Sequence, residues 1–104
     1  MRATSTVWRT LPTRRSFERR STWAPAVVHF DGHAQNVIIR DISRGGMKLE
    51  FAYGLLPGDK ITIELASART LDATVNWSVA AFCGVEFFGL LAEDDPVLAS
   101  CKRH

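Results

Sequence analysis

The sequence has few of the features on which several classes of protein depend. Its two cysteines, Cys83 and Cys101, form no C-x-x-C pair and are too few for a disulfide-rich scaffold. No apolar run approaches the roughly eighteen residues of a membrane span, and no apolar segment follows the first residues as it does in a secretory signal peptide. We therefore expect free thiols in a reducing compartment, a cytoplasmic location and no membrane insertion.

The sequence also lacks the usual signatures of an enzyme. It contains no P-loop and no G-x-G-x-x-G motif, no nucleophile beside a base, and no pair of carboxylates placed for acid–base catalysis. His29, Asp31 and His33 alternate around one turn, but a third strong ligand is not apparent, so a solvated hairpin is favoured over a metal site. These absences predict a binding protein with no catalytic residue, no metal and no cofactor.

The apolar content is sufficient for one domain with a small core. The 104 residues are 46% hydrophobic and 23% charged, so the chain is not disordered by composition. The net charge of +2 conceals an asymmetry, because residues 1–20 hold six arginines and one glutamate while the remaining chain has a net charge of −3. Such a basic arm favours an anionic partner, phosphates first, although a solvated basic tail is at least as common.

From residue 24 onwards, short apolar segments alternate with turn residues. Strands are predicted at Ala26–Phe30, Gln35–Ile42, Met47–Phe51, Ile61–Leu65, Leu71–Val79 and Phe82–Phe88. Six short strands separated by turns predict an antiparallel barrel or sandwich. Pro96 allows a helix only if it lies in the first turn, so the helix expected within residues 92–102 is short or begins near Asp94. The predicted organisation is a flexible arm over residues 1–23 and a β domain over residues 24–104.

The first motif with functional meaning is R-R-x-x-x-R, formed by Arg14, Arg15 and Arg19 just ahead of the first strand. A guanidinium is a planar fork that pairs with a phosphate or with the O6/N7 edge of guanine through two hydrogen bonds, and it also stacks on bases. Several guanidinium groups on one flexible arm can close over an anion without being buried beforehand. The motif therefore predicts an anion-binding arm.

The second motif is D-x-S-x-x-G, formed by Asp41, Ser43 and Gly46 where the second predicted strand turns into the third. In an extended strand Asp41 and Ser43 project to the same face. A carboxylate there accepts from the N1–H and N2–H₂ groups of guanine, and Gly46 permits a turn or close ligand approach. Together the motifs predict a guanine-and-phosphate site with the arm as its lid. A β-turn capped by side-chain hydrogen bonds also fits Asp41 and Ser43.

In the order and spacing of these two motifs, the sequence resembles the PilZ domain family. The resemblance also includes the strand pattern that closes on Gly84-Val85-Glu86-Phe87, and it covers about residues 14–100. It implies a six-stranded antiparallel β-barrel with a C-terminal helix. It also implies that the ligand is cyclic di-GMP, a bacterial second messenger.

The resemblance assigns a role to each motif residue. It places Arg14, Arg15 and Arg19 on the phosphates and guanine edges, and Asp41, Ser43 and Gly46 on the guanine held against the barrel. Trp77 lies where some relatives place an aromatic beside the ligand, although a core or barrel-rim position is favoured for it. We expect a receptor that signals when ligand binding orders the arm, and that passes the signal to an unidentified protein partner.

Two further functions are compatible with parts of the sequence. A PilZ-type adaptor would bind protein partners without nucleotide, but the complete set of motif residues argues against it. An OB-like barrel that binds single-stranded nucleic acid would carry basic and aromatic residues on its barrel face. Here the barrel strands are net acidic and the positive charge is in the arm, so no nucleic-acid polymer is expected as a partner.

Overall fold

The computed structural model describes residues 17–99 and 102–103, which form seven strands and one short helix. The strands are β1 (Arg20–Phe30), β2 (His33–Ile42), β3 (Gly46–Glu50), β4 (Lys60–Leu65), β5 (Thr70–Val79), β6 (Phe82–Phe87) and β7 (Lys102–Arg103), and the helix is α1 (Pro96–Ala99). The second to sixth predicted strands agree with β2 to β6 to within two residues at each end.

Strands β1 to β6 close into an antiparallel barrel. Hydrogen bonding runs in the order β2-β3-β6-β5-β4-β1, and β1 also pairs with β2, which completes the ring. The predicted six-stranded antiparallel barrel is therefore confirmed. Because successive side chains alternate between the two faces of a strand, each strand sends one set of side chains inward and the other outward.

The inward face of every strand in the ring supplies the core. Its most completely buried members are Val28, Val37, Ile39, Ile42, Leu49, Ile63, Val75, Cys83 and Val85. Most of these residues belong to the alternating apolar positions from which the strands are predicted, since one half-buried face gives a sequence period of two. The outward face carries polar side chains, some exposed apolar ones such as Trp23 and Val79, and the candidate site described below.

The thiol of Cys83 lies in this core, and burial raises its pKa to about 11. A buried thiol with a raised pKa is a poor nucleophile. In a Cys101→Ala variant we expect no reaction of the native protein with Ellman's reagent over an hour, and reaction of one thiol once urea is added. Rapid labelling of the native variant would contradict the placement of Cys83 in the core.

The hairpin between β1 and β2 sets the register of the site. Asp31 has a φ of 52° and Gly32 a φ of 77°, the two positive values that a type I′ turn requires and that an Asp-Gly dipeptide favours. From Phe30 opposite His33, the pairing runs along both strands, shifts its register between Ala24 and Ser21, and ends with Arg20 opposite Ile42. The turn and this shift together place Ser21, at the start of β1, opposite Asp41 of the D-x-S-x-x-G motif.

β1 begins six residues before the strand predicted at Ala26–Phe30, so the predicted boundary between residues 23 and 24 falls inside it. Residues 20–23 have no alternating apolar pattern, and their extended form comes from pairing at both edges. Arg20 and Ser21 pair with β2 on one side and with β7 on the other. β7 begins at the last residue of the segment, residues 92–102, within which the helix was predicted. Residues 1–16 of the predicted arm lie outside the described residues.

The predicted C-terminal helix is present as the single turn α1, which begins at Pro96 as expected. Asp95 caps it, since its Oδ1 accepts from the N–H of Val97 at 3.0 Å. Leu98 is 1% exposed and belongs to the core, and Arg20 donates to its carbonyl oxygen at 2.6 Å. The tail therefore packs on the barrel. Within the described residues, no helix has the length and apolar character that crossing a membrane requires.

Asp95 also joins the tail to the turn between β4 and β5. Arg69 in that turn donates to both carboxylate oxygens, at 2.6 and 2.8 Å. These bonds lower the pKa of Asp95 from its ordinary value, although burial of the carboxylate opposes them. A carboxyl with a lower pKa in the folded state stabilises the fold above its unfolded pKa of about 3.9. This contribution is lost as the pH falls through the folded-state pKa.

We expect Asp95→Asn to lower the free energy of unfolding at pH 7 by about 2 kcal/mol, because it removes the negative charge and one of the two oxygens that accept from Arg69, while the asparagine can still cap the helix. The same change should flatten the acid dependence of stability between about pH 5 and pH 2. Urea unfolding at several pH values measures both effects, with the exposed neighbour Asp94→Asn as the control. An Asp95→Asn variant that keeps the wild-type acid dependence would contradict this assignment.

Candidate ligand-binding site

Four residues in neighbouring strands form a row across the outer face of the barrel. Asp41 on β2 lies opposite Lys48 on β3, Lys48 lies opposite Gly84 on β6, and Gly84 lies opposite Trp77 on β5. Residues that are directly opposite in a sheet point to the same face. The row therefore places a carboxylate, an ammonium group, a residue without a side chain and an indole side by side.

A pocket of about 310 Å³ opens over this row. It is lined by Arg19, Asp41, Ile42, Ser43, Gly46, Met47, Lys48, Trp77 and Gly84. The structure thus brings together five of the predicted site residues, namely Arg19, Asp41, Ser43, Gly46 and Trp77. The other two, Arg14 and Arg15, lie outside the described residues.

Two cations share one oxygen of Asp41. Arg19 Nη2 lies 3.1 Å from Asp41 Oδ2, and Lys48 Nζ lies 3.8 Å from the same atom. The Arg19 side chain is 63% exposed while that of Asp41 is 17% exposed. Exposed ion pairs contribute only about 0.2–1 kcal/mol, so little free energy is lost if Arg19 exchanges Asp41 for another anion.

The D-x-S-x-x-G motif forms the tight turn between β2 and β3. β2 ends at Ile42, so Ser43 is not in the extended strand that was expected, because the chain turns to begin β3 at Gly46. The Ser43 N–H donates to the Gly46 carbonyl at 2.9 Å, and Ser43 Oγ accepts from the Gly45 N–H at 3.2 Å. The capped turn considered for this motif is thus present at Ser43. A hydroxyl that accepts one bond still has its own proton to donate.

Arg44, the residue after Ser43, holds this turn to other parts of the chain. Its Nε donates to the Leu91 carbonyl at 2.7 Å, and its Nη1 lies 3.9 Å from a carboxylate oxygen of Glu93. Its guanidinium carbon lies 5.6 Å from the centroid of the Phe17 ring, within range of a cation–π contact. Arg44 therefore joins the turn to the end of the arm and to the segment that follows β6.

Arg20 directly follows the arginine motif, but its side chain stabilises the fold and does not face the pocket. Its side chain is only 12% exposed. Its Nη2 lies 3.5 Å from Glu18 Oε1, and its Nη1 donates to the Leu98 carbonyl. The two consecutive arginines therefore diverge: Arg19 faces the pocket and Arg20 holds the tail helix. Successive residues in an extended segment point to opposite sides, which accounts for the difference.

Sequence reasoning missed Lys48 and Gly84 as pocket residues. Lys48 is an ordinary polar member of an alternating strand, and Gly84 belongs to the motif that ends the last barrel strand. Their position beside Asp41 and Trp77 follows only from the strand order. The Lys48 ammonium also lies 5.6 Å from the centroid of the Phe82 ring, a cation–π contact on the same face.

The two histidines at the first hairpin are those for which a solvated hairpin is favoured over a metal site. His29 Nε2 lies 2.8 Å from Glu64 Oε1, and both side chains are more than 40% exposed. Among residues 17–99, no group of three or more histidine, cysteine, aspartate or glutamate side chains is arranged to hold a metal ion. The contact that His29 makes at this hairpin is therefore an exposed pair with Glu64.

Comparison with known proteins establishes the family. The family model for the PilZ domain matches residues 13–101, which is most of the chain. The chain belongs to the PilZ domain family. This confirms the resemblance inferred from the two motifs, and the match includes all three motif arginines as well as the whole barrel.

A solved structure has the same fold as this PilZ domain. The Bacillus subtilis inhibitor of motility (MotI/DgrA) matches with a TM-score of 0.62 and 19% sequence identity. The match covers 82% of this chain and 47% of that protein, so the chain spans about half the length of its structural relative. No curated protein matches the chain in sequence.

Proposed function

We propose that this PilZ domain is a receptor rather than an enzyme, and that it binds cyclic di-GMP between its N-terminal arginines and the pocket on the barrel. One observation carries the proposal: Arg19 of the first motif meets Asp41 of the second in a pocket that Ser43 and Gly46 also line. Membership of the family supports a role as a cyclic di-GMP effector in general.

The charges around the pocket suit a ligand with two phosphates and two guanines. Arg19 is exposed and easily exchanged, so it can leave Asp41 for a phosphate oxygen. Asp41 then accepts from the N1–H and N2–H₂ groups of a guanine, while Lys48 stays within 3.8 Å to balance the carboxylate. Arg14 and Arg15 would complete the phosphate contacts from the arm.

The proposed signal is the ordering of the arm on the barrel face. Arg19 directly precedes β1, so ligand contacts made by the arginine motif reposition the residues before it. Ordering a dozen residues costs several kcal/mol, which must be offset by charge-assisted bonds to two phosphates. The affinity expected from this balance is micromolar to submicromolar, roughly −8 to −9 kcal/mol. The reorganised surface is what a downstream protein partner would recognise.

Isothermal titration with cyclic di-GMP tests the proposal, with GTP and cyclic di-AMP as controls. We expect saturable binding of cyclic di-GMP, with a dissociation constant of about 1 μM, and much weaker binding of the other two. GTP tests for general attraction of phosphates, and cyclic di-AMP tests for recognition of guanine. Absence of binding at tens of micromolar cyclic di-GMP would contradict the proposal.

The role of Asp41 gives a prediction in which charge and hydrogen bonding act in opposite directions. Asp41→Ala removes a negative charge, so electrostatics alone would strengthen the binding of an anion. If Asp41 accepts from guanine, the same change weakens cyclic di-GMP binding about tenfold and reduces the preference over cyclic di-AMP. The matched control is Asp72→Ala, which removes an outer-face carboxylate that accepts from Thr62 instead. Unchanged or tighter binding by Asp41→Ala would contradict this role.

An adaptor that binds a protein without nucleotide is the second candidate. One surface favours it: an apolar groove of about 510 Å³ on the outer face, whose lining includes Trp23, Pro25, Val27, Ile38 and Phe51. Trp23 is 67% exposed there, and large exposed apolar patches often mark protein contacts. An adaptor of this kind would show no response to cyclic di-GMP, so the titration separates the two functions.

A further inference from the structure

Gly84 and the indole of Trp77 occupy the same space on the floor of the pocket. A Cβ atom on Gly84 would lie 2.1 Å from Trp77 Nε1, 2.5 Å from Cε2 and 2.9 Å from Cδ1. These are its three nearest neighbours, and all are closer than a Cβ atom tolerates. The indole therefore lies where any other residue at this position would have its side chain.

Backbone conformation does not explain a glycine at this position. Gly84 lies within β6 and pairs with Lys48 on one side and Trp77 on the other, and no positive φ is found there. A glycine inside a strand lowers stability relative to alanine. What requires glycine is the approach of the indole.

A bulge in β5 brings Trp77 to this place. The pairing between β5 and β6 shifts between Val75 and Trp77, so Asn76 is the extra residue. A bulge rotates the side chains that follow it. As a result Trp77 is packed on one side against Gly84 and remains 39% exposed towards the pocket.

We propose that Gly84 is a positioning residue for base recognition: by lacking a side chain it holds the Trp77 indole against β6, where the indole forms a stacking wall for one guanine of the ligand. The inference rests on the proposed function. Stacking of a base on an aromatic side chain strengthens binding by roughly five- to a hundredfold. Lys48 and Asp41, which continue the row, are placed at the edge of a base stacked there.

Four proteins test the proposal by cyclic di-GMP titration: the wild type, Gly84→Ala, Trp77→Ala and the double variant. We expect Gly84→Ala and Trp77→Ala each to weaken binding about tenfold. The double variant should bind like Trp77→Ala alone, because the new methyl group has no indole to displace. If Gly84→Ala weakens binding equally with and without the indole, Gly84 does not act through Trp77 and the proposal is wrong.

Fluorescence reports the position of the indole directly. The chain has three tryptophans, so a Trp8→Phe, Trp23→Phe background leaves Trp77 as the sole emitter. We expect cyclic di-GMP to quench this emission, and Gly84→Ala to shift the unliganded emission to longer wavelength and to remove most of the quenching. Thermal unfolding of each variant shows whether the barrel is retained.

Failure of this inference is distinguishable from failure of the proposed function. If the wild type binds cyclic di-GMP and Gly84→Ala binds equally well, the positioning role is overturned while the receptor stands. If the wild type does not bind, the receptor and the stacking role are both overturned. An emission spectrum unchanged by Gly84→Ala would overturn the positioning of the indole in either case.

Discussion

The double variant Arg15→Ala, Arg19→Ala is expected to bind cyclic di-GMP about a hundredfold more weakly than the wild type. Each charge-assisted hydrogen bond to a phosphate contributes roughly 1.5–3 kcal/mol, or about tenfold or more for each arginine. Arg19 is already at the pocket, 3.1 Å from Asp41, and Arg15 lies four positions earlier in the same motif. Isothermal titration of the two single variants and the double variant measures the losses.

A matched control separates specific contacts from the general attraction of a basic arm. The variant Arg2→Ala, Arg9→Ala removes the same charge from residues 1–20 but leaves the R-R-x-x-x-R motif intact. We expect it to bind within about twofold of the wild type at physiological salt, because neither arginine belongs to the motif that is assigned to the phosphates and salt screens the general attraction of charges beyond about 8 Å. An unchanged isotherm for the Arg15→Ala, Arg19→Ala variant would overturn the assignment of these arginines to the phosphates. Equal losses of affinity in the two double variants would overturn it as well.

Leu98→Ala is expected to lower the free energy of unfolding by about 3 kcal/mol, the second large effect. Leu98 is 1% exposed and is the one buried residue of α1, so its removal leaves a cavity where the tail packs on the core. For a domain of this size the melting temperature should fall by roughly 10–20 °C. Thermal and urea unfolding followed by circular dichroism measure the change.

Leu90→Ala is the matched control for this prediction. Leu90 is 59% exposed and precedes the tail by a few residues, so the same substitution there removes little buried surface. We expect a change within about 0.5 kcal/mol. If Leu98→Ala were no more destabilising than Leu90→Ala, α1 would not be part of the core.

Much of the barrel is predictable because its determinants are local. β4 and β5 each show a clear period of two, and Asp31-Gly32 is a dipeptide that suits one turn type. The start of α1 is likewise fixed by Pro96, which is tolerated only in the first turn of a helix. These features depend on neighbouring residues alone, and each appears in the structure where the sequence predicts it.

The elements that were missed depend on distant partners. Residues 20–23 have no pattern of their own, and they form the start of β1 because β2 and β7 lie on either side. The structural role of Arg20 could not be predicted from the sequence, since it depends on a carbonyl in α1 that lies seventy-eight positions later. Ser43 leaves the strand because the turn to β3 satisfies its backbone through Gly46.

The candidate site likewise contains residues that the sequence identifies and residues that only the fold reveals. The motifs identify Asp41, Ser43 and Gly46 from chemistry and spacing, and the structure places them with Arg19 and Trp77 around one pocket. Lys48 and Gly84 enter that pocket through strand order, which no single segment of sequence contains. The contact between Gly84 and the indole is of this kind, since it requires both the pairing of β5 with β6 and the bulge at Asn76.

Whether cyclic di-GMP lies between the arginine arm and the barrel pocket can be observed by titrating the isotopically labelled full chain with it and following the amide and indole NMR signals. We expect the signals of Asp41, Ser43, Gly46 and the Trp77 indole to shift together at one-to-one or two-to-one ligand, and the amides of residues 14–19 to become protected from exchange. Saturable binding that shifts other surfaces and leaves these residues unchanged would contradict this placement of the ligand.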